Sequence, residues 1–187
     1  MSFVQDTSNR TSQILLASDM IQAGFINSII QIEAGVGLRK ITSQRAALSS
    51  DGRAPSFDKR QHMRMAASIV RPQEDFMHAS NLMLLYINSC GDAAKASVVL
   101  AELVQAHQIA LTAFLESTPG ATEEQFLDIN SAYSLAKEFR DGGAFFQKCP
   151  DCGAGSFIIM NNVGQDRCAF CRSPALVKGD IFWSSID

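Results

Sequence analysis

Two short motifs near the carboxyl end, Cys149-Pro150-Asp151-Cys152 and Cys168-Ala169-Phe170-Cys171, have the strongest influence on the fold of this chain. Fifteen residues separate them, a spacing typical of four-thiolate metal sites. Each motif forms a tight turn that directs two sulfur atoms at one ion, and the loop between them brings the second pair round to complete a tetrahedron. The spacing therefore predicts one structural Zn²⁺ held by Cys149, Cys152, Cys168 and Cys171.

The alternatives are two disulfides, a redox role for one cysteine pair, or chance placement of four of the five cysteines. Disulfides need an oxidising compartment, and the paired arrangement favours a metal over a single redox-active pair. Four thiolates leave no open position for water or substrate, which argues against a catalytic metal. Around the motifs we expect Gly153 and Gly155 at positive φ, a short strand over residues 157–160 and a turn over 161–164.

The composition bounds the remaining possibilities. The chain has 187 residues, of which 47% are hydrophobic and 19% charged, so it can bury a sizeable core. Its formal net charge of −3 argues against a wholly basic nucleic-acid binder but leaves room for a local basic face. The first residues lack the pattern of a signal peptide, and no apolar run reaches the roughly 18 residues of a membrane span. We therefore expect a cytoplasmic protein without membrane association, with Cys90 as a buried thiol.

Helical periodicity dominates the amino-terminal region. Residues 11–33 have apolar side chains at helical spacing, which predicts one helix capped by Thr11 or Ser12. Gly35 and Gly37 then interrupt the pattern. A second helix is predicted over residues 38–48, with Leu38, Ile41 and Leu48 facing inward. The two helices and their glycine turn predict a helix-turn-helix over about residues 20–48; a plain αα-hairpin is the alternative. Inward positions of the first helix are Ile14, Ile21, Phe25, Ile29 and Ile32.

A basic segment coincides with the second helix of this motif. Between Arg39 and Arg71 the chain carries eight Lys and Arg against two Asp, which is half of its 16 basic residues. Arg and Lys neutralise DNA phosphates, and Arg and Gln can pair with guanine and adenine edges; a solvated basic loop is the alternative. We predict contacts with double-stranded DNA from solvent-accessible Arg39, Lys40, Thr42, Ser43, Gln44, Arg45, Arg53, Lys59 and Arg60.

The middle of the chain also has helical periodicity, over residues 74–90, 93–116 and from the capping box at Thr122 onward. His78 and His107 fall on the apolar faces of these helices and are predicted to be packed core residues. No nucleotide-binding, hydrolase or metalloprotease motif is found, so neither an enzyme nor a small-molecule substrate is expected. The prediction is a mainly α fold with a helical domain over residues 1–147 and a zinc module over 148–187.

Three parts of the sequence together resemble one family. These are the helix, turn and basic helix over residues 19–48, the Glu74-Asp-Phe-Met-His-Ala-Ser80 segment, and the Ala132-Tyr133 helix that leads to the four cysteines. In this order they resemble FlhC, the C subunit of the flagellar master transcription activator of bacteria. The chain departs from that family at residues 51–60, where a Pro-rich apolar segment is often found, and at its end, which lacks a basic tail.

The resemblance implies a DNA-binding transcription activator that works in a hetero-oligomer with a small helical FlhD-like protein and helps to recruit RNA polymerase to promoters. The targets would be flagellar operons or, for relatives on mobile elements, conjugative transfer genes. The four cysteines carry over as zinc ligands, and Arg39, Lys40 and Arg45 carry over only as a basic helix. The alternative function is a zinc-stabilised protein-interaction adaptor without sequence-specific DNA binding.

Overall fold

The computed structural model describes residues 3–55, 62–160 and 165–174, and of residues 3–8 the backbone alone. This part of the chain is mainly helical with a small antiparallel sheet, and its carboxyl-terminal segment holds the four cysteines together. The predicted fold class is thereby confirmed in these features.

The chain forms two compact units, Met1–Met63 and Arg64–Asp187. The predicted division at 147/148 differs from this one, because the four-cysteine segment packs on helices of the second unit.

The first unit consists of three helices, α1 (Phe3–Gln22), α2 (Asn27–Ala34) and α3 (Leu38–Ser50). Each of the three contacts the other two. Their shared core is made of large apolar side chains that are almost completely buried: Ile21, Phe25, Ile26, Ile29, Ile30 and Ile41.

The prediction of one continuous helix over residues 11–33 is wrong. Helix α1 already includes Thr11 and Ser12, so neither caps its start, and it ends at Gln22. Gly24 has a φ of 90°, and the Phe25 N–H donates to the Met20 carbonyl at 3.0 Å. A glycine in this conformation, followed by a residue whose N–H bonds back across the last turn, forms a Schellman motif, which ends a helix. Gly24 therefore separates α1 from α2.

The turn between α2 and α3 lies where the sequence predicts it. Gly35 has a φ of 65° and ends α2, and Gly37 precedes α3 in an extended conformation. Two apolar positions predicted to face inward are exposed instead, Ile32 at 61% and Leu38 at 50%. The helices are short and only one stripe of each reaches the core of this small unit. The helix-turn-helix stays a prediction.

The second unit is built around α5 (Gln73–Cys90), which contacts α7 (Leu100–Ser117), α8 (Ile129–Arg140) and strand β2 (Gly155–Ile159). Two single-turn helices, α4 (Ala66–Ile69) and α6 (Ala93–Ala96), flank α5 in sequence, and strand β1 (Ala144–Lys148) pairs with β2. The core includes Leu82, Met83, Tyr86, Tyr133 and Phe157, all at 0% exposure. None of the helices described is long and apolar enough to cross a membrane.

The predicted helix over residues 93–116 is interrupted at Ser97, so α6 and α7 are separate. Ser97 is extended, with a φ of −155°. The buried Tyr86 hydroxyl accepts the Val99 N–H at 3.0 Å, which satisfies a backbone donor that a continuous helix would otherwise bond internally. A tertiary hydrogen bond thus replaces one turn of helix.

The capping box at Thr122 is present, but it opens a single 3₁₀ turn (Glu123–Gln125) rather than α8. The Gln125 side-chain oxygen accepts the Thr122 N–H at 2.9 Å. Helix α8 begins at Ile129, where the Asp128 carboxylate accepts the Ser131 N–H at 2.6 Å. Asp128 is therefore the effective cap, and the sequence interpretation of Thr122 placed the start of α8 too early.

Both predicted core histidines are packed where expected. The ring of His78 is buried and lies between Phe114 and Phe126, with centroid distances of 4.8 and 5.0 Å. The His107 Nε2 atom lies 2.6 Å from the Leu127 carbonyl oxygen. The two rings join α5 and α7 to the segment that precedes α8.

Candidate metal centre

The hairpin of β1 and β2 carries the first cysteine motif on its turn. The strands pair from Ala144 opposite Ile159 to Lys148 opposite Gly155. Cys149 follows the last residue of β1, and Cys152 lies in the turn that leads back to β2. The regular sheet register therefore sets the position of the first two sulfur atoms.

The two motifs have the same backbone hydrogen bonds. In the first, the Cys149 N–H donates to the Ala154 carbonyl at 2.8 Å, and the Gly153 N–H donates back to the Cys149 carbonyl at 2.9 Å. In the second, the Cys168 N–H donates to the Ser173 carbonyl at 2.9 Å, and the Arg172 N–H donates to the Cys168 carbonyl at 3.2 Å. The centre is thus a pair of equivalent turns facing each other.

Both turns need a left-handed residue directly after the second cysteine. Gly153 has a φ of 74°, as predicted, and its counterpart Arg172 has a φ of 59°. Arg172 is the one residue other than glycine with positive φ in the described part of the chain. The expectation of positive φ at Gly155 is wrong, because this residue opens β2; a Cβ atom there would lie 3.3 Å from the Phe146 ring.

The four sulfur atoms form one compact cluster, all within 4.8 Å of one another. The Cys149 and Cys171 sulfurs are 3.7 Å apart, as are those of Cys152 and Cys168. Metal–sulfur bonds of about 2.3 Å in a tetrahedron place neighbouring sulfurs about 3.8 Å apart, whereas a disulfide needs about 2.05 Å. The cysteines are free thiols. The donor set therefore fits one tetrahedrally coordinated metal ion.

Hydrogen bonds to Cys168 favour its thiolate form. Burial acts to raise its pKa, but the N–H groups of Cys171 and Phe170, the Ser156 hydroxyl and Cys152 together lower that pKa to about 6. Ser156 is completely buried, and its oxygen also accepts the Ala169 N–H at 3.1 Å. Deprotonated thiolates are the form that binds metal. The sequence interpretation did not identify Ser156, because a single serine in a strand has no distinctive pattern.

Side chains from outside the motifs hold the cluster against the helices. On α5, the Gln73 amide donates to the Ala169 carbonyl at 2.8 Å, and the buried Ser80 hydroxyl accepts the Phe157 N–H at 3.0 Å. Gln165 pairs with the free edge of β2: its oxygen accepts the Ile159 N–H at 2.8 Å and its nitrogen donates to the Phe157 carbonyl at 3.0 Å. The centre is therefore anchored to the second unit, with Cys149 and Cys168 buried and Cys152 and Cys171 exposed.

The residues predicted to contact DNA are separated by the fold into different environments. Arg39, Lys40, Thr42 and Ser43 are exposed on α3, and Arg53 is exposed just after its end. Gln44 is half-buried, and its amide nitrogen donates to the Ile14 carbonyl on α1 at 3.0 Å. The predicted contacts at Lys59 and Arg60, and the predicted turn at 161–164, lie outside the described residues.

The expectation that Arg45 is accessible to solvent is wrong. Its side chain is buried at 6% exposure. The guanidinium donates to the Phe25 carbonyl at 2.6 Å and to the Asn27 side-chain oxygen at 3.2 Å. These acceptors belong to the α1–α2 connection, so Arg45 ties α3 to it. A period of 3.6 residues places position 45 one turn after Ile41 on the inward face, which the basic character of the residue concealed.

Comparison of the sequence with models of known protein families and with curated proteins found no match.

Proposed function

We propose that the chain is a DNA-binding subunit of a bacterial transcription activator resembling FlhC, with α3 lying against double-stranded promoter DNA. The observation that carries the proposal is the exposed face of α3. Thr42 and Ser43 lie three and four residues after Arg39 and share one face of the helix with it. Lys40 lies beside them, and α3 contains no carboxylate. Cations and hydroxyl groups of this kind contact phosphates and base edges.

The charge balance of the two units supports the same assignment. Residues 1–63 carry seven Lys and Arg against five Asp and Glu, and residues 64–187 carry nine against fourteen. The formal charges are therefore +2 and −5, which sum to the chain's −3. A positive unit favours approach to a polyanion. The first unit is thus the better candidate for DNA binding.

A groove on the second unit is the observation that favours a helical partner protein. It lies between α5 and α7, has a volume of about 390 Å³, and is lined by partly exposed Leu84, Leu85 and Ile109. The two helices carry four carboxylates and no Lys or Arg. A third helix with an apolar face and basic edges would match this surface in both respects. We propose this groove as the docking site of a small FlhD-like protein, whose assembled complex would help to recruit RNA polymerase.

The metal in this proposal is Zn²⁺ in a structural role. A tetrahedral site of four thiolates is typical of zinc and also of iron. Elemental analysis of protein purified without added metal distinguishes the two, and we expect about one zinc per chain. Iron bound to four thiolates would colour the protein, so a visible absorption band together with stoichiometric iron would contradict the zinc assignment.

The central experiment is a gel shift of upstream fragments from the source genome, with and without a small FlhD-like protein, across a salt series. We expect a retained fragment whose affinity falls steeply with salt as counterions compete. Arg39→Ala should reduce affinity about tenfold, while Lys95→Ala, an exposed residue of the second unit, should not. A folded, metal-loaded protein that retains no fragment under any condition would favour the adaptor function, for which the acidic apolar groove is the supporting observation.

A further inference from the structure

A small cavity in the first unit is lined by positively charged side chains from two helices. It has a volume of about 280 Å³ and is lined by Arg10 and Gln13 from α1, by the Gly35–Gly37 turn, and by Lys40 of α3. Arg10 and Lys40 are exposed. Among the described residues, neither makes an ion pair or a hydrogen bond through its side chain, and no carboxylate lines the cavity. Two cations around one concave space favour the approach of an anion.

The backbone around the cavity also contributes positive electrostatic potential. Helix α3 begins here after Gly37, which offers no side-chain cap, so the first N–H groups of the helix add positive potential. Gly35 has a φ of 65°, and a Cβ atom at this position would lie 3.4 Å from the Gln13 amide nitrogen. The Gln13 amide therefore lies in van der Waals contact with the glycine turn. This amide supplies a neutral donor beside the two cations.

The size and charge of the cavity indicate the class of ligand. A space of about 280 Å³ accommodates a phosphate group, and the cations that line it favour an anionic ligand. A phosphate accepts two hydrogen bonds from an arginine fork and the point charge of a lysine. The neighbouring exposed side chains on α3 are Arg39, Thr42 and Ser43. A duplex lying along α3 would present its phosphates at the start of this helix.

We infer that this cavity holds a phosphate of the DNA backbone and that Arg10, a residue outside the basic segment of the sequence, is a DNA contact. The inference rests on the proposed function. A phosphate clamped between α1 and the start of α3 would set the register of α3 on the duplex without reading sequence. Arg10 and Lys40 act on the same phosphate, so their contributions to affinity are coupled.

The test measures DNA affinity and its salt dependence for Arg10→Ala, Lys40→Ala, the double variant, and the Lys95→Ala control. Arg10→Ala should weaken binding to specific and unrelated duplexes by the same factor, about tenfold, and reduce the slope of log affinity against log salt by about one. The double variant should lose less affinity than the product of the two single losses. Circular dichroism checks the fold, and Arg10→Gln provides a second substitution with a retained polar side chain.

A second arm uses inorganic phosphate without DNA, at constant ionic strength against chloride. If wild-type protein binds DNA but Arg10→Ala and Arg10→Gln keep its affinity and salt slope, the cavity assignment is overturned while the proposed function stands. If the wild-type protein binds no DNA, the proposed function fails, and the assignment of the cavity to a phosphate of the DNA backbone fails with it. In that case stabilisation of wild type but not of the double variant by inorganic phosphate would assign the cavity to a free phosphate ligand.

Discussion

At the scale of single residues, the most informative side chain is Arg45, because it resembles a DNA contact in sequence and serves as a structural residue in the fold. Its guanidinium bonds to Phe25 and Asn27 link α3 to the α1–α2 connection. Burial lowers the pKa of Arg45 below its usual range. An experiment that removes Arg39, Lys40 and Arg45 together would therefore confuse loss of DNA contacts with loss of folding.

We expect Arg45→Ala to lower the free energy of unfolding by about 2 kcal/mol, because it removes charged hydrogen bonds and leaves a buried carbonyl without its donor. Arg39→Ala removes the same charge from an exposed position of the same helix and should change stability by less than about 0.5 kcal/mol. Urea unfolding of both variants measures the difference. Equal stability of the two variants would contradict the structural role of Arg45.

A second prediction at this scale concerns Arg172, whose positive φ costs a residue with a side chain about 1 kcal/mol. Arg172 is exposed, so Arg172→Gly loses little packing and should raise the free energy of unfolding by up to that amount. Gly153→Ala is the matched opposite change: a Cβ atom there meets only the Lys148 side chain at 3.9 Å, so the backbone alone decides the cost. The free energies of unfolding of the two variants and of the wild type, measured in excess metal, test both expectations. A destabilised Arg172→Gly protein would contradict the equivalence of the two turns.

At the scale of elements, His107 links α7 to the segment before α8 through the Leu127 carbonyl, and burial of the ring favours its neutral form. Burial lowers the pKa of His107 from 6.5, although the Leu127 carbonyl and the Asp128 and Glu123 carboxylates act in the opposite direction. Burial likewise lowers the pKa of His78. A folded pKa below the unfolded value means that the unfolded chain binds more protons as the solution becomes acidic.

The stability of the second unit should therefore be complete above about pH 6.5 and decrease as pH falls through the folded pKa values of these histidines. His107→Gln keeps a donor for the Leu127 carbonyl and removes the titration, so its unfolding free energy should fall less between pH 7.5 and 5.5. His62→Gln, at an exposed position, is the control. The measurement is urea unfolding at each pH. An equal pH dependence of wild type and His107→Gln would show that titration of His107 does not cause the loss of stability.

At the scale of the whole molecule, the metal centre belongs to the second unit, where Ser80, Gln73 and Gln165 bond to the cysteine segment. Structural zinc sites contribute apparent binding free energies on the order of 10 kcal/mol to folding. Loss of the ion should therefore affect the hairpin and the helix surface under it together. The first unit has a separate apolar core around Phe25 and Ile29.

We expect a chelator, or Cys152→Ser, to raise amide hydrogen exchange more than tenfold over β1 and β2 and at Phe157 in particular, because protection follows local stability. Amides of α2, such as that of Ile30, should keep their protection. Cys90→Ser removes a thiol outside the cluster and should change hydrogen exchange neither in the hairpin nor in α2. Unaltered exchange in the hairpin after complete metal removal would show that the metal does not hold this segment.

What the sequence determined by itself is the part of the structure governed by local covalent spacing and periodicity. The two CxxC motifs define the metal ligands because two thiolates in one tight turn converge on one ion, and the helices of the middle region follow from apolar residues at steps of three and four. The glycine turn at Gly35 ends α2 as expected, and positive φ at Gly153 was predicted correctly because a left-handed backbone has a strong residue preference.

Only the tertiary structure decided the features that depend on a distant partner. Arg45 is buried because the Phe25 carbonyl and Asn27 lie opposite it, α6 and α7 separate because the Tyr86 hydroxyl takes the Val99 N–H, and the cysteine segment joins the second unit because α5 presents Ser80 and Gln73 to it. Each is a hydrogen bond between residues at least 13 positions apart. Local patterns contain no information about which distant group will be there, so packing alone determines these features.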